Sequence, residues 1–160
     1  MIPPNPATDA LRRASAADLP AVVALQQAAY AGNRTILGVE PLPLLADYIE
    51  ILRDYEVWVA GLAGGPLRAV LVLAWPGDHL LIWSVASAPE AHGKGYGNWL
   101  LEFAELRALQ EGRLAIRLYT GAKLRDNIAW YRRRGYAVER IEAMPDRDVV
   151  HMIKTLATGA

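Results

Sequence analysis

The chain of 160 residues has no cysteine, which excludes disulfides, a thiolate nucleophile and any cysteine-based zinc site. Histidine is scarce as well. The three, His79, His92 and His151, show no HExxH-type spacing, so a metal site is not expected. Charge of neither sign is in excess: 17 Lys and Arg face 17 Asp and Glu, leaving no overall field to draw in nucleic acid or an anionic membrane. No apolar run reaches the ~20 residues of a membrane span. The start, Met1-Ile2-Pro3-Pro4-Asn5-Pro6, lacks the basic and apolar regions of a signal peptide. These absences point to a soluble cytoplasmic protein, with residues 1–10 a disordered tail. Residues 11–157 are then one domain, large enough to bury a core without staples.

The patterns present order that domain. Leu11 to Ala14 reads as a short strand, and Ser15-x-x-Asp18 before Pro20 as a helix start with Asp18 at the N-cap. That helix should run to about Tyr30 and break at Ala31-Gly32-Asn33-Arg34, with a second helix over Leu42 to Arg53. Three β-rich runs follow, Glu56 to Leu62, Leu67 to Trp75 and His79 to Ser87, parted by Gly-Gly-Pro and Pro-Gly-Asp turn signals. A helix then runs to about Glu111 and stops at Gly112, and Leu114 to Tyr119 is a strand. Asn127 to Arg134 is a helix, and Tyr136 to Ala143 and Val149 to Leu156 are strands. The order βααβββαβαββ predicts an α/β (α+β) fold of three layers, a mixed sheet of about seven strands with about four helices.

The densest signal lies between Ser84 and Leu101. A strand ends at Pro89 and passes through His92-Gly93-Lys94-Gly95-Tyr96-Gly97 into an amphipathic helix. A glycine turn opening a helix is an anion site, because helix-start N–H groups lack partners and the helix dipole favours negative charge. Its spacing fits neither common nucleotide loop. Gly93-Lys94 is followed by Gly95 rather than Ser or Thr, and Asn98 stands where the dinucleotide fingerprint needs its third glycine. Some thirty residues on comes Asp126-Asn127-Ile128-Ala129-Trp130-Tyr131-Arg132-Arg133-Arg134-Gly135-Tyr136.

Together the two segments resemble the signatures of the GNAT N-acetyltransferase superfamily. Its pyrophosphate turn, Gln/Arg-x-x-Gly-x-Gly/Ala, falls on His92 to Gly97, and its later Tyr-bearing helix ending in Gly-Phe or Gly-Tyr falls on Tyr131 and Gly135-Tyr136. The resemblance spans roughly residues 11 to 155 and is specific between about 80 and 136. It implies a mostly antiparallel sheet and an enzyme that moves acetyl from acetyl-CoA, its co-substrate, to a primary amine by direct attack in a ternary complex. By that likeness the cofactor contacts fall on Val85, Ser87, His92, Gly93, Lys94, Gly95, Tyr96, Gly97, Asn98, Asn127 and Tyr131. The backbone of Val85 and Ser87 would pair with pantetheine as an added strand. Val85 N–H would also steady the oxyanion, and Tyr131 would act as general acid to the thiolate. His92 departs from the family's Gln or Arg but can still donate to a phosphate. Asn127 either caps its helix or meets pantetheine, and Arg132 to Arg134 read as a solvated basic face.

The general base is not legible. Leu80-Leu81-Ile82-Trp83-Ser84 carries no carboxylate, which leaves Glu40, His79 and His151, none of them distinguished. The missing acid keeps open a non-catalytic acyl-CoA-binding or sensing domain of the same fold. Trp83 either floors the acceptor pocket or packs in the core, while Tyr30, Tyr48 and Tyr55 hint at a small, partly apolar amine or a peptide amine. Trp99, Phe103 and Leu106 lie opposite the buried stripe of their helix, covered either by a neighbouring element or by a second copy in a homodimer.

Overall fold

A computed structural model describes residues 9–157; the tail reading over residues 1–8 lies outside them. Seven strands form one sheet in the order β1-β2-β3-β4-β5-β7-β6. They are β1 (Leu11–Arg13), β2 (Glu56–Gly61), β3 (Leu67–Ala74), β4 (Leu80–Ser87), β5 (Ala115–Gly121), β6 (Ala137–Ala143) and β7 (Asp148–Thr155). Five helices accompany them: α1 (Leu19–Leu37), α2 (Leu42–Leu45), α3 (Tyr48–Asp54), α4 (Tyr96–Gln110) and α5 (Arg125–Arg133). Every neighbouring pair is antiparallel except β4 with β5. The expected mixed, mostly antiparallel sheet between helices is therefore the observed architecture, with one helix more than expected.

β3 reads Leu-Arg-Ala-Val-Leu-Val-Leu-Ala and is buried from Ala69 to Leu73, because helices α1 and α4 both pack on it and on β4. A continuous apolar run is what a strand covered on both faces requires. β4 alternates buried and half-buried instead. At the far edge, β6 is exposed along its whole length and carries Glu139, Arg140 and Glu142, charges that discourage pairing with another chain. Among the described residues no helix is long and apolar enough to cross a membrane.

Three local expectations are corrected. α1 does not break at Gly32 but continues to Leu37 and ends on Gly38 in the left-handed region, whose N–H donates to the Arg34 carbonyl at 2.8 Å. A solvent-facing glycine costs a helix only about 1 kcal/mol, too little to stop one that packs on a sheet. Leu42 to Arg53 is two helices, because Ala46 and Asp47 are extended and the Asp47 carboxylate accepts from Ile49 N–H at 2.9 Å to start α3. Asp18 directly precedes α1, yet its carboxylate turns back to accept from both Arg12 Nη atoms (2.8 and 2.9 Å) and from Ser15 N–H (2.8 Å). Asp18 is fully buried, and the Arg12 guanidinium holds its carboxyl well below the usual carboxylate range.

On α4, Leu100, Leu101, Ala104 and Ala108 are buried as the stripe predicts. Phe103 meets the Trp58 ring of β2 at 4.8 Å and Trp99 meets Tyr96 at 5.7 Å, so neighbouring side chains cover two of the three outward residues. Leu106 stays exposed.

Candidate active site

The site begins with a fault in the sheet. Leu73 pairs with Ile82 and Val72 with Ser84, which leaves Trp83 as an extra residue on β4. Such a bulge bends its strand and increases the local twist. On the other side, β4 pairs with β5 only from Leu80–Ile116 to Ile82–Leu118. Beyond Ile82 the two strands part, β5 keeping β7 as its partner to Gly121. The inner edge of β4 is thus unpaired from Trp83 onward. Ala88 N–H donates to the Arg68 carbonyl at 2.8 Å, toward β3. Alternation along an antiparallel strand then puts the N–H and C=O groups of Ser87 and Val85 on the opposite edge, facing the gap.

The glycine turn closes one end of that gap. Gly93 and Gly95 sit at φ of +77° and +88°, and a Cβ built on either meets open space, so backbone conformation rather than crowding selects glycine here. The N–H groups of Gly93, Lys94, Gly95, Gly97 and Asn98 have no acceptor among the described residues, a row of donors that fits a pyrophosphate. His92 bends back, its Nε2–H donating to the Ser87 carbonyl at 3.2 Å, and so ties the turn to the strand end. The side chain of Lys94 is exposed. That of Tyr96 is not at the site: it is buried, with its hydroxyl on the Asp9 carboxylate, so only its backbone can serve a ligand. Asn98 is likewise engaged, its Oδ1 accepting from Trp130 Nε1 (3.2 Å) and from Arg134 Nε.

α5 forms the opposite wall. It starts at Arg125, so Asn127 lies inside the helix and is not its cap; its side chain makes no hydrogen bond among the described residues and lines the gap. Tyr131 is buried against Trp130 (4.9 Å) and Tyr136 (5.8 Å) and also lines it. Burial, with the Tyr30 and Tyr136 phenols nearby, pushes the Tyr131 phenol above its usual range. A groove of about 300 Å³ runs past Ser87, His92, Gly97 and Trp130. It shares Tyr30, Asn33, Val85, Asn127 and Trp130 with a second cavity of about 150 Å³ between α1, β4 and β5. Trp83 lines that cavity, edge-on to Tyr48 (6.2 Å) and Tyr55 (5.8 Å), which do not.

Beneath the bulge lies a polar cluster. Ser84 Oγ accepts from Gln26 Nε2 (2.9 Å) and meets the Tyr30 hydroxyl (2.8 Å), while Gln26 also donates to Tyr48 (3.1 Å). The three candidate bases are placed elsewhere. Glu40 is bound to Arg34 (2.8 Å), His79 lies beside Arg117 (3.0 Å) and His151 beside Glu142 (2.8 Å), and none lines the cavity. No group of three His, Asp or Glu among the described residues is placed to hold a metal. Among the lining residues that escaped the sequence reading are Asn33, Trp130 and Arg147. Trp130 could have been found as the i+3 partner of Asn127 on one helix face, and Asn33 as the i+3 partner of Tyr30.

A mixed sheet parted at its one parallel pair, with a donor-rich helix start at the opening, defines the class of the acetyltransferase fold. Residues 53–138, more than half of the chain, match the acetyltransferase (GNAT) domain, and the protein belongs to that family. Among curated proteins there is no sequence match. Solved structures share the fold at low identity. The PaiA N-acetyltransferase of Thermoplasma acidophilum, in complex with coenzyme A, is 19% identical with a TM-score of 0.71, covering 92% of this chain and 99% of its own. The ribosomal-protein-S18-alanine N-acetyltransferase of Escherichia coli is 18% identical (TM-score 0.70; 96% and 97% covered). A GNAT family acetyltransferase of Elizabethkingia anophelis with acetyl-CoA bound is 15% identical (TM-score 0.67; 92% and 98%).

Proposed function

We propose that this protein transfers acetyl from acetyl-CoA to a primary amine by direct attack within a ternary complex. The observation that carries the reading is the gap between β4 and β5, which leads from unpaired turn amides past Val85 and Ser87 to Tyr131. Acetyl-CoA supplies the activated thioester. The N–H groups of the glycine turn hold its pyrophosphate, and the free edge at Val85 and Ser87 takes its amides as a strand would. Val85 N–H donates to the carbonyl oxygen as charge builds there. Tyr131 keeps its proton more tightly than an ordinary phenol. It therefore acts by hydrogen-bonding the departing sulfur, which leaves the sulfur's full protonation to solvent. With no carboxylate or histidine in the cavity lining, water is the acceptor for the ammonium proton.

That same lining favours a second reading, an acyl-CoA binder without catalysis. Thiol release from acetyl-CoA across a panel of amines separates the two: amine-dependent release is expected. A coenzyme-A-dependent rise in melting temperature with no amine-dependent thiol would leave binding alone. In Tyr131→Phe, turnover should fall about a hundredfold while coenzyme A binding is kept. Unchanged turnover at saturating amine removes Tyr131 from the chemistry.

A further inference from the structure

Among the described residues, Arg147 is the single charged side chain lining the inner cavity. It stands in the turn between β6 and β7, which Met144 N–H closes on the Arg147 carbonyl at 2.7 Å. Its side chain is only 6% exposed. Asp146, half-exposed, accepts from Nε (3.2 Å) and Nη2 (3.1 Å), and both Nη1 protons are without an acceptor among the described residues. A guanidinium is costly to enclose unless its donors are used. The rest of that wall is aromatic, aliphatic and neutral polar, with Trp83, Leu118 and Leu124 beside Asn33, Thr120 and Asn127, and it carries no acidic group among the described residues.

This combination selects the acceptor. A polyamine or a lysine side chain brings a second cation, which finds no carboxylate here and is repelled by Arg147. The cavity, about 150 Å³, suits a small acceptor. We propose that the acceptor is a small amine that also carries a carboxylate, an amino acid with an uncharged side chain in class, and that Arg147 Nη1 receives the carboxylate. In the transfer, the amine nitrogen forms the new bond to the acetyl carbon as the carbon–sulfur bond breaks, and the carboxylate keeps its charge throughout. Arg147 is thus a specificity-determining residue that touches the acceptor but not the reacting atoms.

The proposal rests on the transfer reading above, and its test keeps the two apart. The full chain is assayed for thiol release from acetyl-CoA with glycine, valine, leucine and phenylalanine, each beside its amide and its decarboxylated amine. At least one acid should exceed its amide and its amine about tenfold or more in kcat/KM. Arg147→Gln should lower the acid about ten- to hundredfold while the amide and amine move by less than about twofold, and Arg147→Lys should keep part of the preference. Comparing ratios between wild type and variant cancels differences in amine basicity. A merely structural arginine would lower all three substrates together, and that outcome overturns the assignment. Equal use of acid, amide and amine by the wild type overturns it too, while leaving acetyl transfer standing. Absence of thiol release with every member, when coenzyme A still raises the melting temperature, overturns the transfer reading and this proposal with it.

Discussion

Asp18 shows how much one carboxylate can hold when its oxygens collect several donors. It is buried, with Arg12, the Ser15 N–H and hydroxyl, and the Gly64 N–H supplying its hydrogen bonds. Since Arg12 lowers its pKa in the folded state, the stability it contributes is present above the unfolded carboxylate value of ~3.9 and is lost as the pH falls below that value. Asp18→Asn should destabilise by about 3 kcal/mol at neutral pH, since it leaves the arginine without its charge partner. It should also lack the part of the acid-induced drop in melting temperature that this carboxylate causes. Parallel stability profiles for variant and wild type between neutral and acid pH would show that the carboxylate is not so placed. The residues of the cavity have a different character. Tyr131 and Asn127 line it, and Nη1 of Arg147 has no acceptor among the described residues.

Among the elements, α4 and α5 come into close contact at Gly97. A Cβ on Gly97 would lie 2.9 Å from the Trp130 ring, so the absence of a side chain lets α5 come down onto the turn. Arg134 caps the arrangement by stacking over Trp130 at 5.0 Å. Gly97→Ala should cost about 1–3 kcal/mol through this clash, against the ~1 kcal/mol that alanine ordinarily gains in a helix. Trp130→Ala in the same chain should relieve the clash, and a double-mutant cycle by denaturant unfolding reads the coupling. Additivity of the two changes would mean that α5 does not press on the turn. The elements themselves were largely legible in the sequence. Gly-Gly-Pro and Pro-Gly-Asp bound β2, β3 and β4, and Gly112 and Gly135 end α4 and α5, because these residues act locally. Gly32 misled since its cost is small beside tertiary packing, and the real stop lay six residues on. Of the site, the glycine turn, Val85, Ser87 and Tyr131 were readable from two motifs. Arg147 was not, because a turn fifteen residues past Arg132 carries no local mark of the cavity it reaches. The motif offered Tyr96 and Asn98 without saying by which atoms, and their side chains turn to Asp9 and to Trp130 and Arg134, since a motif fixes backbone placement and says nothing of where a side chain packs.

For the molecule as a whole, the sheet consists of two parts, β1 to β4 and β5 with β7 and β6, joined through three residue pairs between Leu80 and Ile82. Coenzyme A at 100 times its Kd should stabilise the fold by about 2.7 kcal/mol. In hydrogen exchange, the amides of Val85 and Ser87 should exchange rapidly in the free protein and become protected on binding. Binding without protection at these two amides would place the ligand elsewhere. The divided sheet also has a mechanical consequence. In the proposed binding mode the substrate spans a seam that the polypeptide leaves open, so each molecule of coenzyme A would splint the two halves for as long as it stays. Spent coenzyme would be as good a splint as the acetylated form, because what it would mend is backbone pairing and not the acetyl group. Each turnover would then end with the seam working loose, and the stiffness of three residue pairs would bear on how soon the next acetyl-CoA can enter.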